Sequence, residues 1–199
     1  MVFISAVILA AGESKRMGQP KLSMVWEGKT ILEHTIDNYL DSMASETIIV
    51  LGYKAKELTR VIGDRLVISV VNPAYHEGMS SSLISGVKIV SSRTQGIMLA
   101  LADQPAIDSQ TINKLIEVFG KRQKNIIIPV YQGKRGHPVI FHIKYRDELL
   151  NIKGDIGARE VIQRHADDIL EVAVDCKGVL IDIDTPSDFH NHLNKGSVS

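Results

Sequence analysis

Two hydrophobic patterns alternate along this chain. Short, nearly unbroken apolar runs such as FISAVILA (3–10), TIIVL (47–51) and IMLALA (97–102) are separated by stretches with apolar residues at every third or fourth position. The first pattern fits strands buried on both faces, the second amphipathic helices. Strands are expected near residues 2–9, 46–51, 66–71, 96–101, 125–130, 138–142, 169–174 and 179–183. Thr30 and Glu33 have capping-box spacing, and Ile31, Leu32, Ile36, Leu40 and Met43 follow with helical periodicity. Further helices are expected over Lys54–Ile62, Asp108–Phe119, Lys144–Leu150 and Ile156–His165, and after the serine-rich HEGMSSSLISGV (76–87), where Leu83, Val87 and Val90 keep helical spacing. A last helix should start at Thr185-Pro186, a cap residue before a proline suited to the first helical position. The alternation predicts one three-layer α/β/α domain around a mostly parallel, Rossmann-like sheet with right-handed crossovers. The tail after about Leu193 (NKGSVS) reads as flexible.

Composition narrows the partners. Among 199 residues, Lys+Arg and Asp+Glu both total 23, so the formal charge is zero. No global basic field exists for nucleic acid or an anionic membrane, and any anion binding must be local. The single cysteine, Cys176, has no internal partner and reads as a small strand filler in a reduced, cytoplasmic protein. No run approaches the roughly 18 apolar residues of a membrane span. The first cations, Lys15 and Arg16, follow the first apolar run, the reverse of a secretory signal.

Candidate chemistry starts where that first strand ends, in LAAGESKRMGQPKL (9–22). The loop is neither a Walker A sequence nor Gly-x-Gly-x-x-Gly. It still has the parts of an anion site: Gly12 for a tight turn, exposed amides, the Arg16 fork and the compact Lys21 charge. The competing reading is a surface turn with solvated cations. Asp103 follows the apolar run IMLALA, where such a sheet places ligands, and is either a metal ligand or an Asx-turn residue before Pro105. Asp182 and Asp184, two apart in IDIDTP, either approach one ion together or, for Asp184, help cap the last helix. The serines of HEGMSSSLISGV offer an anion or ribose contact, or ordinary capping. In GKRGHPVIF (133–141), Gly136 permits close backbone approach and Pro138 stiffens the way into the next strand; His137 is either structural or a substrate contact. In GDIGARE (154–160), Gly157 and Arg159 lie near a helix start, as a phosphate grip or a plain cap.

LAAGESKRMGQPK resembles the signature of the MobA-like nucleotidyltransferases. HEGMSSSLISGV, LALADQP (99–105), GKRGHPVIF and IDIDTPSDF (181–189) are similar to the molybdenum cofactor cytidylyltransferase branch. The resemblance implies transfer of CMP from CTP to the phosphate of molybdenum-loaded molybdopterin, with Mg²⁺ as cofactor. It implies a nucleotide site of Leu9, Ala10, Ala11, Gly12, Ser14, Arg16, Lys21, Gly78, Ser81, Ser82 and Asp103, with Arg16, Lys21 and Asp103 catalytic. Metal ligands would be Asp103 with Asp184 or Asp182. The acceptor would meet Arg135, Gly136, His137, Pro138 and Arg159. Relatives using guanine typically carry glycine where this chain has Ala11, and the added methyl suits a pyrimidine. A monomer is expected, with a client molybdoenzyme or its chaperone as a further partner. The alternatives are a sugar- or alditol-phosphate nucleotidyltransferase and a non-catalytic cofactor-binding partner of a molybdoenzyme.

Overall fold

The computed structural model describes residues 2–193, and the tail expected to be flexible lies outside them. In chain order, the first half runs β1 (Ile4–Ala10), β2 (Val25–Trp26), β3 (Lys29–Thr30), α1 (Ile31–Leu40), β4 (Glu46–Leu51), α2 (Ala55–Ile62), β5 (Ile68–Val71), α3 (Met79–Lys88) and β6 (Gly96–Leu101). The second half runs α4 (Ser109–Gly120), β7 (Ile126–Tyr131), β8 (Lys134–Arg135), β9 (Val139–His142), α5 (Arg146–Leu150), α6 (Arg159–Arg164), β10 (Ile169–Ala173) and α7 (Pro186–Leu193). The main sheet has the order β10-β7-β9-β6-β1-β4-β5, with β8 hairpinned onto β7. Strands β1, β4, β5 and β6 are parallel, as are β7 and β10, whereas β9 runs antiparallel between β6 and β7.

Alternation along the strands divides the core into two layers. Ile4, Ala6, Ile8 and Ala10 of β1 face one way, against the buried faces of α1, α2 and α4. Val7 faces the other way with Ile48, Val50 and Ile97, against Leu83 and Val87 of α3, Leu149 of α5 and Val161 of α6. A side-chain period of two on the strands and a one-sided stripe on each helix produce this sandwich directly. Helix α3 is pressed closest: a Cβ at Gly86 would lie 2.3 Å from Val7 Cγ1, so only glycine fits where α3 crosses β1. The Thr30/Glu33 capping box forms in full, and Asp108 caps α4 through Thr111 N–H. Among the described residues, no helix is long and apolar enough to cross a membrane.

Three expectations are corrected. Residues 179–183 form no strand: Lys177–Leu180 is a 3₁₀ turn, and the segment after it makes single bonds instead of a ladder. Gly178 fixes the turn, because a Cβ there would lie 2.2 Å from the Ala106 carbonyl oxygen. Cys176 consequently precedes a turn and is no strand filler, its thiol meeting the Ala106 carbonyl at 3.3 Å. The helix expected over Ile156–His165 begins only at Arg159, because Gly154 and Gly157 adopt positive φ in the approach to it.

Candidate active site

Parallel register brings the ends of β1 and β6 to the same rim. Leu9 pairs with Leu101, and Ala102 N–H donates to Leu9 C=O at 3.1 Å, so Ala10–Gly12 and Asp103 emerge side by side. The loop after β1 is tacked to the core by buried Met17 and Leu22. Its left-handed turns sit at Ser14 (φ 54°) and Gly18 (φ 70°), whereas Gly12, expected to supply the tight turn, keeps an ordinary φ and opens onto free space. The Asp182–Asp184 segment joins the same rim through its backbone, Ile183 N–H donating to Asp103 C=O at 3.0 Å.

These elements enclose a cavity of about 520 Å³. Leu9, Ala10, Ala11, Gly12, Ser14, Arg16, Lys21, Gly78, Ser82, Asp103, Asp182 and Asp184 line it, together with Glu13, Tyr75, His76, Met79 and Asp155, which pattern reading passed over. At its centre the Lys21 ammonium donates to Asp103 Oδ2 at 2.5 Å and to Asp184 Oδ1 at 2.6 Å, with only 12% of its side chain exposed. Arg16 donates to the other Asp184 oxygen at 2.7 Å. Burial works against the Lys21 charge, but Asp103 and Asp184 outweigh it and hold its pKa above the usual value. The two candidate second carboxylates are thereby separated. Asp184 shares Lys21 with Asp103, whereas Asp182 accepts from the amide of buried Gln104 at 2.7 Å. Burial and the Asp103 charge raise the Asp182 pKa. Asp184 is not needed as a cap for α7, since Thr185 and Asp188 cap it reciprocally.

Does the site suit a hard divalent cation? Asp103 Oδ1 is buried without a hydrogen-bond partner among the described residues, and a lysine cation already lies between the two carboxylates. Among the described residues, no three His, Cys, Asp or Glu side chains converge into a ready cage. That donor set fits an ion such as Mg²⁺, which takes one or two carboxylates and fills its shell with water and phosphate.

Other expected residues sit elsewhere. Ser81 turns inward, its hydroxyl against the Ala74 and Gly78 carbonyls at 2.9 and 2.8 Å. Gly78, not a serine, stands at the N-cap of α3, and Asp155 accepts from the first helical amide, Met79 N–H, at 2.7 Å. Arg135 lies exposed on β8, paired with Glu171 at 2.6 Å. Gly136 does allow close backbone approach, but to the protein itself, since a Cβ would lie 2.2 Å from the Val179 carbonyl oxygen. Arg135, Gly136, His137, Pro138 and Arg159 do not line the cavity. His137 is nonetheless electrostatically coupled to it: burial lowers its pKa, while Asp103 opposes and Arg159 reinforces that shift.

A protein named molybdenum cofactor cytidylyltransferase from Escherichia coli (strain K12) is 30% identical over 190 residues, covering 95% of each chain. A protein from Paenarthrobacter nicotinovorans named nicotine blue oxidoreductase is 29% identical over 170 residues, covering 81% of this chain and 82% of that one. The crystal structure of Rv0371c from Mycobacterium tuberculosis H37Rv superposes with a TM-score of 0.88 at 30% identity, covering 97% of this chain and 98% of that one. Its manganese complex gives 0.83 at 28% identity, over 97% and 99%. The MobA-like NTP transferase domain matches residues 6–169, from the first strand through Lys21 and Asp103, and the chain belongs to that family.

Proposed function

We propose that the chain transfers CMP from CTP to the terminal phosphate of a molybdenum-loaded molybdopterin, releasing pyrophosphate. The observation that carries this reading is the Lys21 ammonium seated between Asp103 and Asp184, beside Arg16, in a cavity at the strand ends. An acceptor phosphate oxygen bonds to the α-phosphorus in line, and the bond to the pyrophosphate oxygen breaks. That oxygen is already anionic near neutral pH, so no general base is required. Lys21 and Arg16 neutralise charge gathering on the phosphates, and the loop amides orient the triphosphate. Asp103 and Asp184 would hold a divalent ion, whose bound charge lowers the cost of bringing two anions together. The manganese complex of the mycobacterial relative and the cytidylyltransferase name of the E. coli relative support the ion and the nucleotide. Ala11 lines the cavity, and its methyl, where relatives using guanine typically carry glycine, supports a pyrimidine.

Relatives in this family carry differing reaction names, so the substrate pair is settled by assay. Pyrophosphate release is measured with CTP, GTP and UTP, with and without Mg²⁺ and molybdenum-loaded pterin. The expected result is release that requires CTP, the ion and the pterin together. Release with GTP or UTP at equal rates, or with a sugar phosphate in place of the pterin, would overturn the assignment.

A further inference from the structure

Asn72 follows β5, is only 2% exposed, and does not itself line the cavity. Its backbone N–H donates to the Leu51 carbonyl at 2.7 Å, fixing it beside the end of β4. Ala74 N–H donates to Asn72 Oδ1 at 3.0 Å. A backbone amide can only donate, so this bond fixes which way the side-chain amide faces. Both hydrogens of Nδ2 are then directed at α3, to Ser81 Oγ at 2.8 Å and Ser82 Oγ at 3.0 Å. The two serines use the bond differently. Ser81 hands its own proton to the Ala74 and Gly78 carbonyls. Ser82 accepts from Asn72 and gives its proton to no group among the described residues. Yet Ser82 is only 4% exposed, and it lines the cavity. Buried hydroxyl protons are seldom left unpaired.

We propose that Asn72 makes Ser82 an obligatory hydrogen-bond donor into the cavity, so that this point of the site selects an oxygen acceptor on the ligand. Asn72 is a positioning residue: it never meets the ligand, but it spends the lone pair that would let Ser82 accept instead. The inference rests on the nucleotide reading above. The oxygen belongs to the base or ribose on one side of a nucleotide, or to its phosphates on the other.

The test is calorimetric titration of the full chain with CTP and Mg²⁺, and in parallel with inorganic tripolyphosphate and Mg²⁺. Four proteins are compared: wild type, Ser82→Ala, Asn72→Asp and the double variant. Asn72→Asp keeps the Ala74 bond but accepts the Ser82 proton, reversing the polarity at nearly constant shape. Ser82→Ala is expected to weaken CTP about tenfold, the usual scale for one lost hydrogen bond. Asn72→Asp should match it, and the double variant should lose no more than Ser82→Ala alone, because all three remove one shared donor. If Asn72→Asp does not fold, Ser82→Cys takes its place: a weak donor of similar shape should give an intermediate loss. Tripolyphosphate weakened in step with CTP assigns the acceptor to the phosphates; a loss confined to CTP assigns it to base or ribose. CTP binding unchanged in Ser82→Ala, or losses that multiply in the double variant, would overturn the inference. A wild-type chain that binds no CTP sinks the nucleotide reading, and this inference with it.

Discussion

Two charged clusters, at different places on the fold, look alike at first. One is the Lys21, Asp103, Asp184 and Arg16 group at the strand ends, in a cavity of about 520 Å³. The other gathers Lys144, Tyr145, Glu148, Arg164, His165 and Asp168 around α5 and α6, beside a hollow of about 500 Å³. Residue types and volumes do not separate them; bonding capacity does. Asp168 accepts from Lys144 at 2.7 Å, Tyr145 at 2.6 Å and Asn125 through both its backbone and side chain. Burial alone would raise its pKa, but those donors outweigh burial and hold the carboxyl well below its usual range. Glu148 likewise binds both His165 and Arg164. The Asp168 and Glu148 carboxylates are thus spent on neighbouring side chains, and their bonds staple α5 and α6 to the segment entering β7. At the strand ends, by contrast, Asp103 Oδ1 and Gln104 Oε1 are buried with no partner among the described residues, and Ser82 gives its proton to none of them. Unused capacity in a walled space marks the place that awaits a ligand.

The contrast can be broken by substitution, and the largest effect should fall on the first cluster. Asp103→Ala is expected to lower pyrophosphate release by about 10³-fold or more. Its circular dichroism and melting curve should stay close to wild type, since the lost carboxylate has an unsatisfied oxygen to shed. Full activity in purified Asp103→Ala would end the catalytic assignment.

Asp168→Asn should do the opposite. Loss of its charge-assisted bonds is expected to cost roughly 1–3 kcal/mol of stability in denaturant unfolding, with turnover within about twofold of wild type. The pH dependence has a definite sign. A depressed folded pKa means stabilisation that is complete above the ordinary value of 3.8 and fades as pH falls through the folded pKa. The stability gap between wild type and Asp168→Asn should therefore be widest near neutrality and close in strong acid. A gap that widened in acid would contradict the staple reading.

The smallest effect should come from Arg135. Its ion pair with Glu171 leaves both side chains 50% exposed, and Arg135→Ala should change stability by no more than about 0.5 kcal/mol. A contact with the acceptor would show separately, as a raised KM for the pterin with the KM for CTP unmoved.

Legibility tracked the range of the interactions. The capping box of α1 and the apolar strand runs are local, so spacing alone placed them. The strand expected at 179–183 failed because Gly178 packs against the Ala106 backbone and Ile183 N–H bonds to the Asp103 carbonyl, so Val179 and Ile183 are buried without a ladder, through contacts far away in sequence. Asn72 left no pattern at all: an Asn-Pro pair after a strand reads as a turn, and its two serine partners are reached only once β5 and α3 are packed.

By itself, then, the sequence determined which segments are buried, that they alternate between strand and helix, and that the loop after β1 carries glycine and cations beside an acid-bearing strand end. These are properties of single segments, set by side-chain periodicity and residue chemistry. Tertiary structure alone decided that Lys21 bridges Asp103 and Asp184, that Gln104 draws Asp182 aside, that Ser81 turns inward while Ser82 faces the cavity, and that Arg135 pairs with Glu171. Each of those choices depends on which oxygen or proton is left unspent after distant strands and loops have met, and only the folded geometry fixes that.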